Sequence, residues 1–204
     1  YQRPEIQDIA DEIGDSLALA QMAARSDASI IVLCGVHFMG ETAKILCPDK
    51  KVIVPDMNAG CSLADSCPAH DFAKYVDEHP GYTVISYVNT SAAVKAYTDI
   101  VVTSSNAKQI VDSLPAGEKI IFGPDRNLGN YINSVTGRDM LLWDGACHVH
   151  EQFSIAKILE LKKQHGDAQV LVHPECRKPV QMVADKVGST QALLNYAVAS
   201  DCQT

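Results

Sequence analysis

Two cysteines, Cys61 and Cys147, share a local setting that could bind a metal. Each follows a predicted strand and an aspartate, Asp56 or Asp144, by a few residues. Three such thiolates at one point would suit an iron–sulfur cluster. A 4Fe–4S core with three protein ligands keeps one iron open, and that iron can bind and polarise a substrate oxygen. The alternative is a pair of buried core thiols inherited from one duplicated position.

The remaining cysteines lack a counterpart of this kind. The chain has seven cysteines at uneven spacing, which fits a disulfide framework poorly, and it has no Cys-x-x-Cys pair, which disfavours a zinc ribbon or a thioredoxin-type site. We expect the other five to be free core thiols. They are Cys34, Cys47, Cys67, Cys176 and Cys202.

Hydroxyl side chains end three copies of a short motif that contains aspartate. The copies begin at Ala10, Thr98 and Ala184. Because each copy precedes a predicted helix, its hydroxyl and the helix N–H groups are placed to hold a carboxylate or a phosphate. The alternative is that each hydroxyl only caps its helix, a contribution of roughly 1 kcal/mol. The candidates are Ser16, Ser104, Ser189 and Thr190.

Groups that can donate or accept protons and hydrogen bonds recur about 15 residues before those hydroxyls. Tyr1 precedes Ser16 by 16 − 1 = 15 residues, Asn89 precedes Ser104 by 104 − 89 = 15, and Glu175 precedes Ser189 by 189 − 175 = 14. Tyr87 and His173 stand two residues before Asn89 and Glu175. One pocket holding tyrosine, histidine and glutamate could catalyse condensation and dehydration. The alternative is that Tyr87 is an ordinary strand aromatic and His173 an ordinary loop residue.

These recurrences reflect an internal repeat of about 87 residues. Asp11, Asp99 and Asp185 are separated by 99 − 11 = 88 and 185 − 99 = 86 residues, and Cys61 and Cys147 by 147 − 61 = 86. We therefore predict three homologous units, spanning residues 1–80 with the first strand missing, residues 81–167, and residues 168–204, the start of a truncated third unit. At this spacing a third cysteine is expected near 147 + 86 = 233, beyond Thr204.

Short apolar runs that alternate with helix-like segments predict an α/β fold with parallel sheets. Predicted strands are Ile30–Leu33, Lys51–Val54, Thr83–Tyr87, Ile100–Thr103, Lys119–Phe122, Met140–Trp143 and Val170–His173. Predicted helices include Ala92–Ala96, Asn106–Leu114, Ser154–Lys163 and Pro179–Val187. Each unit would be a three-layer α/β/α sandwich, and three units around a pseudo-three-fold axis would direct their strand ends at one central cavity.

Composition and missing motifs exclude several classes. The net charge of −8, with no basic stripe, argues against nucleic acid as a partner. The longest charge-free apolar stretch is too short to cross a bilayer and the start lacks a signal-peptide pattern, so we expect a cytoplasmic protein without membrane partners. Glu41 occupies the lysine position of a P-loop after Gly35, and Gly-x-Gly-x-x-Gly is absent, so nucleotide sites lack support.

The motifs together resemble the quinolinate synthase (NadA) family over the whole chain. The resemblance is carried by Tyr1-Gln-Arg-Pro-Glu-Ile-Gln, Phe38-Met-Gly-Glu-Thr-Ala-Lys-Ile-Leu46, Tyr87-Val-Asn-Thr-Ser-Ala-Ala-Val-Lys95, Gly145-Ala-Cys-His-Val-His150, His173-Pro-Glu175 and Gly188-Ser-Thr190. It implies a transferase that condenses iminoaspartate with dihydroxyacetone phosphate to quinolinate for NAD biosynthesis, with loss of phosphate and water. It also implies a 4Fe–4S cluster whose open iron is a Lewis acid, and aspartate oxidase or aspartate dehydrogenase as upstream supplier.

The resemblance also implies roles for individual residues. Cys61 and Cys147 would be two of the three cluster ligands. Tyr1, Tyr87 and Glu175 would be the catalytic groups. The substrates would be bound by Ser16, Asn89, Ser104, His150, His173, Ser189 and Thr190. Two departures from the family pattern are the missing third cysteine, a position that Cys176 does not fill, and the missing histidine before Tyr1.

Two other functions are compatible with the sequence. A cluster-free α/β module that binds phosphorylated or dicarboxylate ligands would need the hydroxyls but not the third thiolate. A triplicated cluster enzyme similar to the diphthamide synthases would need S-adenosylmethionine. Iron and sulfide analysis separates the first from a cluster enzyme, and failure to bind S-adenosylmethionine would exclude the second.

Overall fold

The computed structural model describes residues 2–202, in which helices alternate along the chain with short strands that pair in parallel. The helices are α1 Pro4–Gln7, α2 Ser16–Arg25, α3 His37–Leu46, α4 Ser62–Asp65, α5 Ala69–Asp77, α6 Ala92–Lys95, α7 Ala107–Ser113, α8 Arg126–Thr136, α9 His148–Glu151, α10 Ile155–Gln164, α11 Lys178–Met182 and α12 Thr190–Ala199. The strands are β1 Ile30–Val32, β2 Lys51–Ile53, β3 Thr83–Tyr87, β4 Ile100–Val102, β5 Ile120–Gly123, β6 Leu141–Leu142, β7 Leu171–Val172 and β8 Lys186–Val187.

Within residues 2–202 the strands form three sheets, and all of their pairings are parallel. β1 pairs with β2, β7 pairs with β8, and the central sheet has the order β4-β3-β5-β6. Parallel neighbours need a crossover between them, and helices follow β1, β3, β4, β5 and β7 as those crossovers. The predicted α/β class with parallel sheets is confirmed.

The central sheet is covered by helices on both faces. Along β5, Ile120 and Phe122 belong to one apolar cluster and Ile121 to another, because successive side chains of a strand point to opposite faces. The first cluster includes Val111 of α7 and residues of α8, and the second includes residues of α5 and α6. This double coverage explains why β5 is an unbroken apolar run.

The same backbone arrangement occurs at β3–β4 and at β7–β8. The Asp99 carboxylate accepts a hydrogen bond from the Val84 N–H at 2.8 Å, and Asp185 accepts one from the Val170 N–H at 2.8 Å. In both pairs the acceptor follows the donor by 15 residues, and the two pairs are 86 positions apart (185 − 99 and 170 − 84). In each pair, the hydrogen bond to the recurring aspartate therefore joins the start of one strand to the start of its neighbour.

One predicted helix is wrong in its second half. The prediction ran from Pro179 to Val187, but α11 ends at Met182 and Lys186–Val187 form β8. The physical reason is the long-range bond from Val170 to Asp185, which draws this segment into the sheet beside β7. A local helical periodicity could not reveal that partner.

The helices are short throughout the described residues. The longest is α8, with 11 residues, and several others contain four. Within residues 2–202 there is accordingly no helix with the length and apolar character needed to cross a membrane.

Candidate active site

Glu175 lies at the centre of a buried group of polar side chains. Its side chain is 5% exposed, and its Oε1 accepts a hydrogen bond from the Tyr87 hydroxyl at 2.8 Å. The His150 Nδ1 lies 3.3 Å from Glu175 Oε2, and the His173 Nδ1 lies 3.5 Å from Oε1. His173 Nε2 in turn lies 3.1 Å from the Ser104 hydroxyl. Five of the residues singled out in the sequence are thus directly connected.

The carboxyl ends of strands position this group. Tyr87 is the last residue of β3, and Ser104 follows β4 in the same sheet. His173 directly follows β7, so the contact between His173 and Ser104 joins the ends of two different sheets. Parallel sheets bind ligands at this edge, because the loops that leave it lead into helix N-termini. His150 comes from α9.

The charges in this group depend on burial and on mutual contact. Burial, followed by the negative charge of Glu175, raises the pKa of Tyr87 well above its ordinary value. Burial opposes ionisation of Glu175, but the close contact with His150 and the proximity of His173 outweigh it and lower the pKa of Glu175. Burial alone would lower the pKa of His150, yet contacts with Cys147 and Glu175 raise it to about 10.

The pKa of His173 is shifted in the opposite direction from that of His150. Burial is the largest influence and lowers the pKa of His173, helped by the positive charge of His150 and opposed by Glu175. At neutral pH these directions give a protonated His150, an ionised Glu175, a neutral His173 and an intact Tyr87 hydroxyl. The site therefore holds proton donors and an acceptor within hydrogen-bonding reach, as general acid–base chemistry requires.

Cys61 and Cys147 occupy equivalent places in the structure. Each is the N-cap of a four-residue helix, α4 or α9, and each is half-buried against the same apolar cluster. The residues that directly follow the two cysteines contact each other, because His148 Nδ1 is hydrogen-bonded to the Ser62 hydroxyl. Burial raises the pKa of Cys61, and the proximity of Cys147 adds to the rise. Two thiols in this arrangement could bind one metal group, which would require their deprotonation.

Four other candidate residues make no hydrogen bond or ion pair with Glu175 among the described residues. Ser16 is the first residue of α2, where Asp15 rather than Ser16 is the cap. Ser189 is buried and caps α12, accepting a hydrogen bond from Ala192 N–H at 3.3 Å, whereas Thr190 is exposed. Asn89 is half-buried after β3. Within residues 2–202 no hydrogen bond or ion pair joins any of these four to Glu175, and Tyr1 lies outside the described residues.

The other cysteines are mostly buried, as expected for core thiols. Cys47, Cys67 and Cys176 are 5%, 2% and 3% exposed. Burial, followed by the charge of Asp71, raises the pKa of Cys67 to about 12. Cys34 differs because it is exposed.

Sequence reasoning gave no role to the segment that follows β5. The Asn127 amide donates to the Glu175 backbone oxygen at 3.0 Å and to Glu151 Oε1 at 2.8 Å, so it holds the Glu175 loop against α9. Asp125 is fully buried, and burial, followed by the charge of Glu175, raises its pKa to about 7. The position of Asp125 just after a buried strand, at the same sheet edge as Tyr87, was a signal that could have identified it.

Comparison with known proteins places the chain in a family. All 204 residues match the family described as Quinolinate synthetase A protein (NadA). The quinolinate synthase of Microcystis aeruginosa is 58% identical over 100% of this chain and 64% of its own length. For the quinolinate synthase of Thermosynechococcus vestitus the identity is 57%, with the same coverage. The chain thus spans somewhat under two thirds of the length of these curated relatives. From these matches, the chain belongs to the Quinolinate synthetase A protein (NadA) family.

Proposed function

We propose that the protein acts as a quinolinate synthase, which condenses iminoaspartate with dihydroxyacetone phosphate and releases phosphate and water. The observation that carries this proposal is the buried contact between Glu175, Tyr87 and His150, one helical turn from Cys147. Condensation and dehydration need protons to be moved at a substrate that is shielded from water, and this group supplies donors and an acceptor in a buried setting. Family membership and the names of the relatives agree with it.

A 4Fe–4S cluster is the cofactor that we propose, with Cys61 and Cys147 as two of its ligands. Their thiols fit such a group, because they start equivalent helices and pack against one apolar cluster. The step of 86 residues supports a third ligand near position 233, outside these 204 residues. The chemistry supplied by a bound cluster with one open iron is Lewis-acid polarisation of a substrate oxygen.

The chain's own residues would bind substrate and move protons. Glu175, which is ionised and hydrogen-bonded to the Tyr87 hydroxyl, would accept a proton, and Tyr87 would donate one. His150 would supply positive charge beside the reacting groups, and His173 with Ser104 would orient a substrate carboxylate or phosphate. We propose Tyr1 as a third catalytic group. Further substrate contacts are proposed for Asn89, Ser16, Ser189 and Thr190.

Three homologous units are the architecture that we propose around this site, at residues 1–80, 81–167 and 168–204. In support, each of these ranges contains one parallel sheet. The matching aspartate bonds at Val84 and Val170 also recur at the repeat spacing. A pseudo-three-fold axis would bring the carboxyl ends of the strands to one cavity, where the active site would lie.

The proposed reaction defines the partners of the protein. Its small-molecule substrates would be iminoaspartate and dihydroxyacetone phosphate. Iminoaspartate is unstable in water, so an aspartate oxidase or aspartate dehydrogenase in the same compartment would have to supply it. We propose the cytoplasm as that compartment.

The test is anaerobic reconstitution of the natural protein that carries this chain. Iron and sulfide analysis and visible absorption measure the cluster, and conversion of iminoaspartate and dihydroxyacetone phosphate to quinolinate measures the activity. Cys147→Ala should lose cluster and product, whereas Cys34→Ala, at an exposed thiol, should keep both. A full cluster without product would refute the function, and iron retained in Cys147→Ala would refute the ligand assignment.

A cluster-free module that binds phosphate or dicarboxylate ligands is the second candidate. The observation that favours it is that repeat-related cysteines occur at only two positions in these 204 residues. Such a module would bind its ligand without iron, through Ser104, His173 and neighbouring groups. Iron and sulfide in stoichiometric amounts on the 204 residues alone would exclude it.

A further inference from the structure

The first two residues of α8 connect three segments that surround the buried polar group. The Arg126 N–H donates to Gly145 O at 2.9 Å, and the Arg126 guanidinium lies 3.4 Å from Glu151 Oε2. The Asn127 amide donates to Glu151 Oε1 at 2.8 Å and to the Glu175 backbone oxygen at 3.0 Å. The start of α8 therefore contacts the loop before α9, the last residue of α9 and the loop after β7.

The short helix α9 depends on contacts of this kind. It has four residues, too few for a helix to be stable by itself, and none of them belongs to the apolar clusters of the described residues. At its start, His148 is hydrogen-bonded to the Ser62 hydroxyl, and at its end Glu151 is bonded to α8. The position of His150, one residue before Glu151, therefore depends on polar contacts at both ends of α9.

The helix α8 is a firm support for these contacts. It has 11 residues, and its Leu128 and Ile132 side chains are buried in an apolar cluster of the central sheet. Its N-cap, Asp125, is fully buried and accepts a hydrogen bond from the Leu128 N–H at 2.8 Å. A side chain that is bonded to the start of α8 is thus fixed relative to the core of the central sheet.

The contacts of Glu151 act on the distance between two groups of the proposed mechanism. His150 and Glu175 belong to different segments, α9 and the loop after β7, yet His150 Nδ1 and Glu175 Oε2 are 3.3 Å apart. Asn127 is bonded to both segments, through the Glu151 side chain and the Glu175 backbone. Because a misplacement of about 1 Å can slow an enzymatic reaction about 100-fold, holding these segments together matters for the rate.

We propose that Glu151 is a positioning residue, whose contacts with Arg126 and Asn127 hold α9 so that His150 stays against the Glu175 carboxylate. A carboxylate suits this task, because one oxygen accepts from the Asn127 amide while the other faces the Arg126 guanidinium. Glu151 itself moves no proton and contacts no substrate. Its role in the reaction rests on the proposed function, whereas the attachment of α9 to α8 does not.

Steady-state kinetics of the natural protein with its cluster tests this role. Glu151→Ala should lower kcat by about 10- to 100-fold with KM changed by less than about threefold, because a displaced group slows the chemistry without removing a substrate contact. Glu151→Gln keeps an oxygen for Asn127 and loses only a partly exposed ion pair, so its kcat should stay within about fivefold of the parent. In an Asn127→Ala background, Glu151→Ala should lower kcat by less than in the parent, because the two residues share one contact.

A control variant and a measurement that is independent of activity complete the test. Glu160→Ala is the matched control, since Glu160 pairs with Lys157 on the surface of α10, and it should leave kcat unchanged. Iron and sulfide analysis verifies that each variant carries a full cluster. In the cluster-free protein, the amides of α9 should exchange hydrogen about two- to tenfold faster in Glu151→Ala than in the parent, the factor that corresponds to the loss of one hydrogen bond.

The possible outcomes separate the positioning role from the proposed function. The role is refuted if Glu151→Ala with a full cluster keeps the kcat of the parent, if Glu151→Gln lowers kcat equally, or if only KM changes. Loss of the cluster in Glu151→Ala also refutes it, because the residue would then support the fold around Cys147. Unchanged hydrogen exchange in α9 refutes the attachment. Parent protein with a full cluster that makes no quinolinate counts against the proposed function, and hydrogen exchange still decides the attachment.

Discussion

Asp125 and Asp15 cap their helices in the same way in opposite surroundings. The Oδ1 of each accepts a hydrogen bond at 2.8 Å from the N–H three residues on, at Leu128 or Ala18. Asp15 is exposed, whereas Asp125 is fully buried and its Oδ2 has no hydrogen-bond partner among residues 2–202. A charge on Asp125 therefore costs free energy that a charge on Asp15 does not.

Asp125→Asn should accordingly stabilise the protein in a pH-dependent manner. Burial raises the folded pKa of Asp125 to about 7, while its unfolded pKa is about 3.9. Between these values the folded state binds more protons, so the contribution of Asp125 to stability falls as pH rises. Asparagine keeps the cap without the charge. From pH 5 to pH 8, the unfolding free energy of the variant relative to the parent should rise by about 1–3 kcal/mol.

Urea unfolding at several pH values measures this difference. Asp15→Asn is the matched control, since it changes an exposed cap and removes no buried charge. A difference between Asp125→Asn and the parent that stays constant from pH 5 to pH 8 would contradict the raised pKa.

At the scale of elements, the loop after β3 is held by the helix that follows it. Lys95, the last residue of α6, donates to Val88 O at 2.9 Å, to Thr90 Oγ1 at 3.2 Å and to Thr90 O. Glu41 of α3 accepts from Ala92 N–H at 2.9 Å, so α3 fixes the start of α6. The loop between Tyr87 and Thr90 carries Asn89, so the contacts of Lys95 and Glu41 also hold a residue that we propose to contact the substrate.

Lys95→Met should lower the free energy of unfolding by about 1–3 kcal/mol, because it leaves carbonyl groups in a partly buried loop without a donor while keeping most of the apolar stem. Urea unfolding with an unchanged slope checks the change. Lys108→Met is the control. Its ammonium pairs with Asp112 on the surface of α7, where a loss of no more than about 0.5 kcal/mol is expected. Equal losses of unfolding free energy in the two variants would contradict the role of Lys95 in holding the loop after β3.

The elements also show how far sequence reasoning reaches. All seven strands predicted from apolar runs are present, and the spacing of Asp99 and Asp185 anticipated a shared role before their backbone contacts were known. Tyr87, His173 and Glu175 were singled out because they recur at strand ends. β8 was missed, and so was the role of Asn127, because both depend on partners far away in the chain that no local pattern encodes.

At the scale of residues 2–202 as a whole, stability is expected to be concentrated in the central sheet. β3 and β5 are paired on both sides there, and both faces of the sheet are covered by apolar clusters. The sheets β1–β2 and β7–β8 each have two strands among the described residues, and Ile30 and Val32 of β1 are 52% and 61% exposed. Small two-stranded sheets with exposed faces contribute little independent stability.

Hydrogen exchange under native conditions should therefore be slowest at the amides of β3 and β5. Slow exchange reports the free energy of the opening that exposes an amide, and opening the central sheet requires the loss of two apolar clusters. Amides of β1–β2 and β7–β8 should exchange at least about tenfold faster, which corresponds to an opening free energy lower by about 1.4 kcal/mol or more. Mass spectrometry of peptides from each sheet measures the difference, with exposed α12 as the fast-exchanging reference. Equal protection in all three sheets would show instead that the described residues open as one cooperative unit.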